Sequence, residues 1–468
     1  MTTGFVDAGP VSGDLKATVP ALRAAAEHAF ARRLEPGTLI AVSAPAPIVP
    51  SESWLASLPD QEATLFADPA GFEQVGLGAR VTLAAEGPDR FRELRRAASS
   101  LFLRLKGSAA TQRLLGGFAF QSGRPLEAPW AAFGEARFVL PRLRYVRRDG
   151  RAFVELILDP EHRHELAADL TLVERALREA TLGPSPAEAP RLLAIADRGS
   201  SEWTARVEAI RDGISSGHFE KVVTARRVVL ELDPRPKAER VLARLRVEAP
   251  ACTRFAIRRA GVVFLGATPE RLIARRGELV ETEALAGSIR AEYTARAKEL
   301  MQSSKDRAEH ELVVREIVAA LAPLTSELEL AEEPEVRTLR HLLHLRTPIR
   351  GRLSEPRHVL ELVERLHPTP AVGGVPTAAA LDWIGTHEPD QRGWYAGPFG
   401  WFDPNGDGEF VVALRSGVLD AHRLYLYAGN GIVRASSAEA EWAETRLKLA
   451  ALLAAAGIDP RQFPEASL

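Results

Sequence analysis

A single cysteine, Cys252, stands among 468 residues. A lone thiol closes no internal disulfide and builds no multi-cysteine metal site, so the chain suits a reducing compartment. No apolar run approaches the roughly 20 residues that a membrane helix needs. Neither sign of charge dominates: 60 Lys and Arg stand against 62 Asp and Glu, a net charge of -2. That balance gives no electrostatic reason to expect nucleic acid or an anionic membrane as a partner. The segment 1–9 lacks a basic stretch followed by an apolar core, so no secretory signal is expected and a cytoplasmic location is. There is no repeat at a fixed period and no low-complexity tract. Sustained alternation of strand and helix is missing too, which weighs against a doubly wound parallel sheet.

What is present is ordinary for a globular protein: 46% hydrophobic and 26% charged residues, in a length that holds one large domain or two to three average ones. Helices are expected over 20–33, 91–106, 161–181, 200–215, 237–247, 303–321, 358–366 and 377–387. Strands are expected over 39–45, 63–67, 81–84, 114–121, 136–143, 151–158, 222–232, 253–257, 261–266, 271–274 and 278–285. Further strands and turns should fill 395–433, with Asn405-Gly-Asp-Gly as a hairpin turn. Gly76-Leu-Gly-Ala-Arg reads as a turn. Many strands on short turns with helices inserted give an α+β class, large antiparallel sheets flanked by helices. Three prolines within 182–191 mark a linker between an N-terminal part, 1–190, and a C-terminal part, 200–468.

The stretch Tyr425–Lys448 reads as a strand, a Gly-rich turn and a helix, with Ser436 and Glu439 as a capping box. On that helix Glu441, Glu444 and Lys448 fall in one stripe, at i, i+3 and i+7. A second helix opens at Ser303 and carries Asp306 and Glu309 at i, i+3. Two helices that each show paired carboxylates can clamp a hard cation, and Mg2+ suits such oxygen ligands. Ordinary surface ion pairs, Lys305 with Glu309 and Glu444 with Lys448, explain the same spacing. His310 suits packing better than metal ligation. Lys221 heads an apolar strand, where a desolvated lysine can act as a base or a solvated one can snorkel. Glu270 follows a proline at a strand end, as a buried general acid or a solvated turn residue. The small residues Ala286, Gly287 and Ser288 permit close backbone approach to a ligand, or a tight turn. Arg415 follows an apolar strand and needs an anion, from a substrate carboxylate or from the protein. Tyr395 could add a phenol donor, and Gly429 and Gly431 backbone N–H groups.

Ten segments resemble, in order, the chorismate-utilising enzymes. They are Lys221-Val-Val-Thr-Ala-Arg, Gly266-Ala-Thr-Pro-Glu, Ala284-Leu-Ala-Gly-Ser, Lys305-Asp-Arg-Ala-Glu-His, His344-Leu-Arg-Thr, Leu366-His-Pro-Thr-Pro-Ala-Val-Gly-Gly, Arg392-Gly-Trp-Tyr-Ala-Gly-Pro, Val412-Ala-Leu-Arg-Ser, Ala428-Gly-Asn-Gly-Ile-Val and Glu441-Trp-Ala-Glu-Thr-Arg-Leu-Lys. Gly116-Gly-Phe-Ala-Phe and Phe138-Val-Leu-Pro-Arg-Leu match more weakly. The resemblance implies one large domain with two antiparallel sheets and a cleft. It implies Lys221 as base and Glu270 as acid. It implies Glu309, Glu441 and Glu444 as Mg2+ carboxylates, with Asp306 as an outer member. It implies Gly287, Ser288, His344, Tyr395, Arg415, Gly431 and Lys448 around the substrate. Ala286 stands where the aminodeoxychorismate branch has a nucleophilic lysine. His367-Pro-Thr-Pro-Ala-Val and His344-Leu-Arg-Thr resemble the isochorismate synthase branch, which serves menaquinone and siderophore routes.

The implied reaction is Mg2+-dependent: water adds at C2 of chorismate and the C4 hydroxyl leaves. It needs Lys221 as an amine and Glu270 as a protonated carboxyl together. Salicylate synthase, anthranilate synthase component I and a non-catalytic homologue stay open as alternatives. No glutaminase, nucleic acid or membrane partner is expected, and the chain is expected to be a monomer or homodimer.

Overall fold

A computed structural model describes residues 15–107, 112–184, 188–290, 296–340 and 342–460. One continuous, almost wholly antiparallel sheet, rather than two separate ones, runs in two arms from the long strands Glu73–Ala85 and Ala136–Arg148. In one direction the bonded order runs through Ala63–Ala67, Thr253–Arg259, Val262–Thr268, Ser416–Asp420 and Arg423–Ile432 to Lys221–Asp233. In the other it runs through Leu114–Phe118, Pro398–Phe402, Gly408–Val412, Arg271–Arg276 and Leu279–Arg290 to Leu342–Leu353. Among the described residues only the short pairing of Leu39–Pro45 with Leu105–Lys106 is parallel. The α+β class with antiparallel pairing is therefore what the chain adopts, and strands from before residue 190 bond directly to strands from after 200.

Alternation along the strands gives the sheet two apolar faces, and these make two large cores. One is aromatic, with Phe138, Phe255, Phe264, Phe399, Trp401 and Phe410 in a single buried cluster. The other, rich in Leu and Ala, lies under the flanking helices Leu15–Phe30, Leu166–Leu182, Ala238–Glu248 and Ala438–Ala456. Among the described residues no helix is long and apolar enough to cross a membrane.

Several local expectations need correction. Gly76-Leu-Gly-Ala-Arg is no turn but lies inside the strand Glu73–Ala85. The sheet there packs so closely that a Cβ on Gly76 would come 2.8 Å from Pro141. The Gly-rich turn expected at Gly429–Gly431 is likewise strand, paired with Val223–Ala225. The last helix is capped by Ser437, not Ser436; the Ser436 hydroxyl instead accepts from the Val433 N–H at 3.2 Å. That shift moves Glu439 off the position a capping box needs. The linker 182–191 is partly outside the described residues, and its end opens an unexpected strand, Arg191–Ala196. The helix Ser51–Ser57 and the long strand Leu342–Leu353 were not anticipated; Pro348 and Gly351 disguise the latter.

Candidate active site

Each half of the site begins with a helix N-terminus. Ser303 caps Ser304–Leu321 by accepting the Asp306 N–H at 3.2 Å, and Ser437 caps Ala438–Ala456. Asp306 and Glu441 thus sit in first turns, where the helix dipole favours negative charge. The helix Ser304–Leu321 lies across the strand Leu279–Arg290 at a bulge between Ala286 and Ser288. Gly287 occupies the bulge with φ +75°, and a Cβ there would meet the Asp306 Cβ at 3.0 Å. The bulge re-aims the following residue, so that Ser288 faces the cleft beside its cross-strand partner His344.

The cleft so formed is small, with about 80 Å3 open to water-sized molecules. All thirteen residues singled out from the sequence line it: Lys221, Glu270, Gly287, Ser288, Asp306, Glu309, His344, Tyr395, Arg415, Gly431, Glu441, Glu444 and Lys448. They arrive from six strands or strand ends, one loop and two helices, far apart in sequence.

The ion pairs differ from those the helical spacing suggested. Lys305 does not pair with Glu309. Its ammonium crosses to Glu441, at 2.7 Å, while Glu309 receives Lys221 from the strand below, at 2.8 Å. Glu444 does pair with Lys448, at 2.8 Å. Burial pushes the Glu309 carboxyl upward, but Lys221, Lys448 and Lys305 outweigh it and hold the group below the usual carboxylate range. Glu441 goes the other way: burial and its neighbour Glu444 raise it despite Lys305. Asp306 is also raised, first by burial, with the Ser303 hydroxyl working against that.

Glu270 is the most perturbed acid of the cleft. It is 5% exposed, and burial, helped by the charge of Glu283, pushes it up to about 8. It is therefore a protonated carboxylic acid at neutral pH. Lys221 is 1% exposed, as buried as the acid.

On another wall, burial and the cations Arg415 and Lys448 keep His344 well below its ordinary value and neutral. Its Nε2 lies 3.3 Å from the Arg415 guanidinium, which can only donate, so Nε2 accepts. Nδ1 then carries the hydrogen and donates to the Ser288 hydroxyl at 2.8 Å. Among the described residues Arg415 makes no ion pair, so its other N–H groups are available to an anion. Arg415 and Ala396 both hold positive φ, 50° and 61°. Such strain in non-glycine residues gathers at functional sites. Tyr395, stacked on Tyr427 with ring centroids 5.3 Å apart, is pushed up to about 12 by burial and stays a phenol.

The oxygens of Asp306, Glu309, Glu441 and Glu444 form a donor set that suits a hard divalent cation. The mutual repulsion of Glu441 and Glu444 is what such a cation would relieve. Among the described residues no three of these groups stand gathered as a ready coordination shell.

Three contributors were not named as site residues from the sequence. Asn430 is buried between two glycines. Its amide donates to the Glu441 carboxylate at 2.8 Å and its oxygen accepts from Lys448 at 2.7 Å. Arg392 ties the cleft floor together, donating to the carbonyls of Val372 and Val223 at 2.7 and 2.8 Å and pairing with Glu388. Lys305 heads the segment Lys305-Asp-Arg-Ala-Glu-His, but its spacing suggested a surface partner of Glu309. For Arg392 the available signals were its place at the head of Arg392-Gly-Trp-Tyr-Ala-Gly-Pro and the Glu388–Arg392 spacing of four.

A family profile described as "Chorismate binding enzyme" matches residues 24–457, nearly the whole chain. The chain belongs to the chorismate-binding enzyme family. As a member of it, the protein is 41% identical over 355 residues to the salicylate biosynthesis isochorismate synthase of Pseudomonas aeruginosa, covering 73% of each chain. It is 34% identical over 364 residues to the isochorismate synthase MenF of Bacillus subtilis, covering 76% of this chain and 77% of that one. Among solved structures it resembles MenF, the menaquinone-specific isochorismate synthase from Escherichia coli, with TM-score 0.77, 29% identity and coverage of 94% and 99%.

Proposed function

We propose that this chorismate-binding enzyme interconverts chorismate and isochorismate. The observation that carries the proposal is a buried lysine and a buried, protonated carboxyl on one cleft, Lys221 and Glu270. The likeness to isochorismate synthases and the absence of a nucleophile at Ala286 point the same way.

The ring carboxylate and the enolpyruvyl carboxylate are anions, and Arg415, which makes no ion pair among the described residues, can take one as a two-pronged partner. Ser288, His344 and Tyr395 add polar contacts, and the backbone at Gly287 and Gly431 closes around the substrate. Lys448 already spends its three N–H groups on the Gly429 carbonyl, Asn430 and Glu444. It reaches a substrate anion only by releasing one of them, Glu444 being the movable choice. Lys221, paired with Glu309 at 2.8 Å, must give up its ammonium proton before its lone pair can face the attacking water. It takes a proton from that water as the oxygen bonds to C2. The ring double bonds shift, and the C4–O bond breaks. Glu270 delivers its proton to the departing hydroxyl, which leaves as water. One water enters and one leaves, so substrate and product are isomers and the equilibrium lies near balance. Mg2+ held by Glu309, Glu441 and Glu444, with Asp306 outside them, would draw charge from the ring carboxylate and make C2 more electrophilic.

Incubation with chorismate and Mg2+, followed by chromatography, tests this reading. Isochorismate alongside residual chorismate is expected. Salicylate with pyruvate, or unchanged chorismate, would contradict it.

A further inference from the structure

Each of the three carboxylates proposed for the metal is engaged by one lysine: Glu309 by Lys221, Glu441 by Lys305 and Glu444 by Lys448. The three lysines are not alike. Lys221 is 1% exposed at the head of a strand. Lys448 is anchored by the Gly429 carbonyl and Asn430 as well as by Glu444. Lys305 is held by nothing comparable. Among the described residues its one hydrogen bond goes to Glu441 Oε1, and its side chain is 32% exposed. Glu441 itself is 3% exposed, and its other oxygen is occupied by the Asn430 amide at 2.8 Å.

The oxygen that Lys305 covers is therefore the free one of a buried carboxylate, and the ammonium on it has an open route to solvent. A carboxylate buried beside Glu444 needs positive charge. Lys305 supplies it, and a divalent cation would supply more, at the same oxygen.

We propose that Lys305 is a built-in stand-in for the divalent cation: it neutralises Glu441 when no metal is bound and swings to solvent when one binds. The inference rests on the carboxylate reading of the metal site given above. Its consequence is a competition. Metal affinity is set below what the carboxylates alone would give, because every binding event must first break the Lys305–Glu441 pair. The same device keeps the metal-free cleft from accumulating uncompensated negative charge.

Mn2+ is a suitable probe, titrated into the full-length protein without substrate and followed by electron paramagnetic resonance or calorimetry. Lys305→Met removes the competing charge and keeps the apolar stem. Its Mn2+ affinity should rise about tenfold over the parent, a difference of roughly 1.4 kcal/mol. Lys305→Arg keeps a cation on Glu441 and should bind Mn2+ no more tightly than the parent. Circular dichroism of each variant verifies folding, and Glu441→Gln, which lacks the shared carboxylate, should bind Mn2+ weakly whether or not Lys305 is present. Equal or weaker Mn2+ affinity in a folded Lys305→Met overturns the inference alone. Absence of Mn2+ binding by every protein, or undiminished binding by Glu441→Gln, overturns it together with the carboxylate reading.

Discussion

Glu270 gives the sharpest expectation at the scale of one residue. Its carboxyl holds a proton up to about 8 in the folded chain, against an ordinary 4.5. Turnover should fall as pH rises through about 8, because the acid is then lost. The stability consequence has a definite sign. Between those values the unfolded chain ionises Glu270 and the folded chain does not, so the unfolded state binds fewer protons and stability declines as pH rises. Glu270→Gln imitates the protonated form. It should lose turnover yet gain thermal stability relative to the parent, with a gain that grows from pH 5 to pH 9. A melting-temperature difference that is flat in pH would show that Glu270 is ionised in the fold. Lys221→Ala should cut turnover about 10³-fold, within the range for a lost general base. Chorismate binding, read by calorimetry, should survive. Near-normal turnover would remove Lys221 from the base role. Gly431 guards the Lys221–Glu309 pair. A Cβ there would lie 2.4 Å from Lys221 Cε and 2.5 Å from Glu309 Oε1. Gly431→Ala should therefore displace both and cost about 10²-fold in turnover, the scale of a 1 Å misplacement. A steady-state assay of the purified variant measures it.

At the scale of elements, the bulge of Leu279–Arg290 is the device that brings a sheet and a helix to one cleft. Gly287→Ala should destabilise the fold by about 1–2 kcal/mol, the cost of a left-handed backbone for a residue with a Cβ. The contact at 3.0 Å to Asp306 adds to that. Urea denaturation reads the loss directly. The elements also show what the sequence could and could not convey. Glu441, Glu444 and Lys448 were legible as one face because helical periodicity is local. Their partners were not, since Lys305 meets Glu441 across 136 positions and Lys221 meets Glu309 across helix and strand. Asn430 was hidden by its glycine neighbours, which look like a turn and are in fact strand packed closely on Lys221 and Thr224. The positive φ of Arg415 and Ala396 had no signal at all, because neither residue type favours it. The thirteen residues nonetheless share one cleft, since ten ordered motifs carry information that no single spacing does.

At the scale of the molecule, the two stretches of chain on either side of residue 190 are stitched by buried charge as well as by strands. Glu52, on the helix Ser51–Ser57, pairs with Arg246 and Arg254, each at 3.1 Å, and Arg254 also reaches Glu73 at 3.3 Å. Glu52→Ala would leave buried Arg254 undercompensated, and should lower unfolding free energy by about 3 kcal/mol. Turnover at 25 °C should be little changed, because Glu52 does not line the cleft. The proposed function has the whole cleft serve one reaction, in which buried Lys221 and Glu270 would add water at one ring carbon while hydroxyl leaves another. Incubation with chorismate and Mg2+ in water enriched in oxygen-18, stopped early and read by mass spectrometry, tests that claim most directly. Isochorismate carrying one solvent oxygen, at C2, is the expected product. Unlabelled isochorismate, or a product without the C2 hydroxyl, would contradict it.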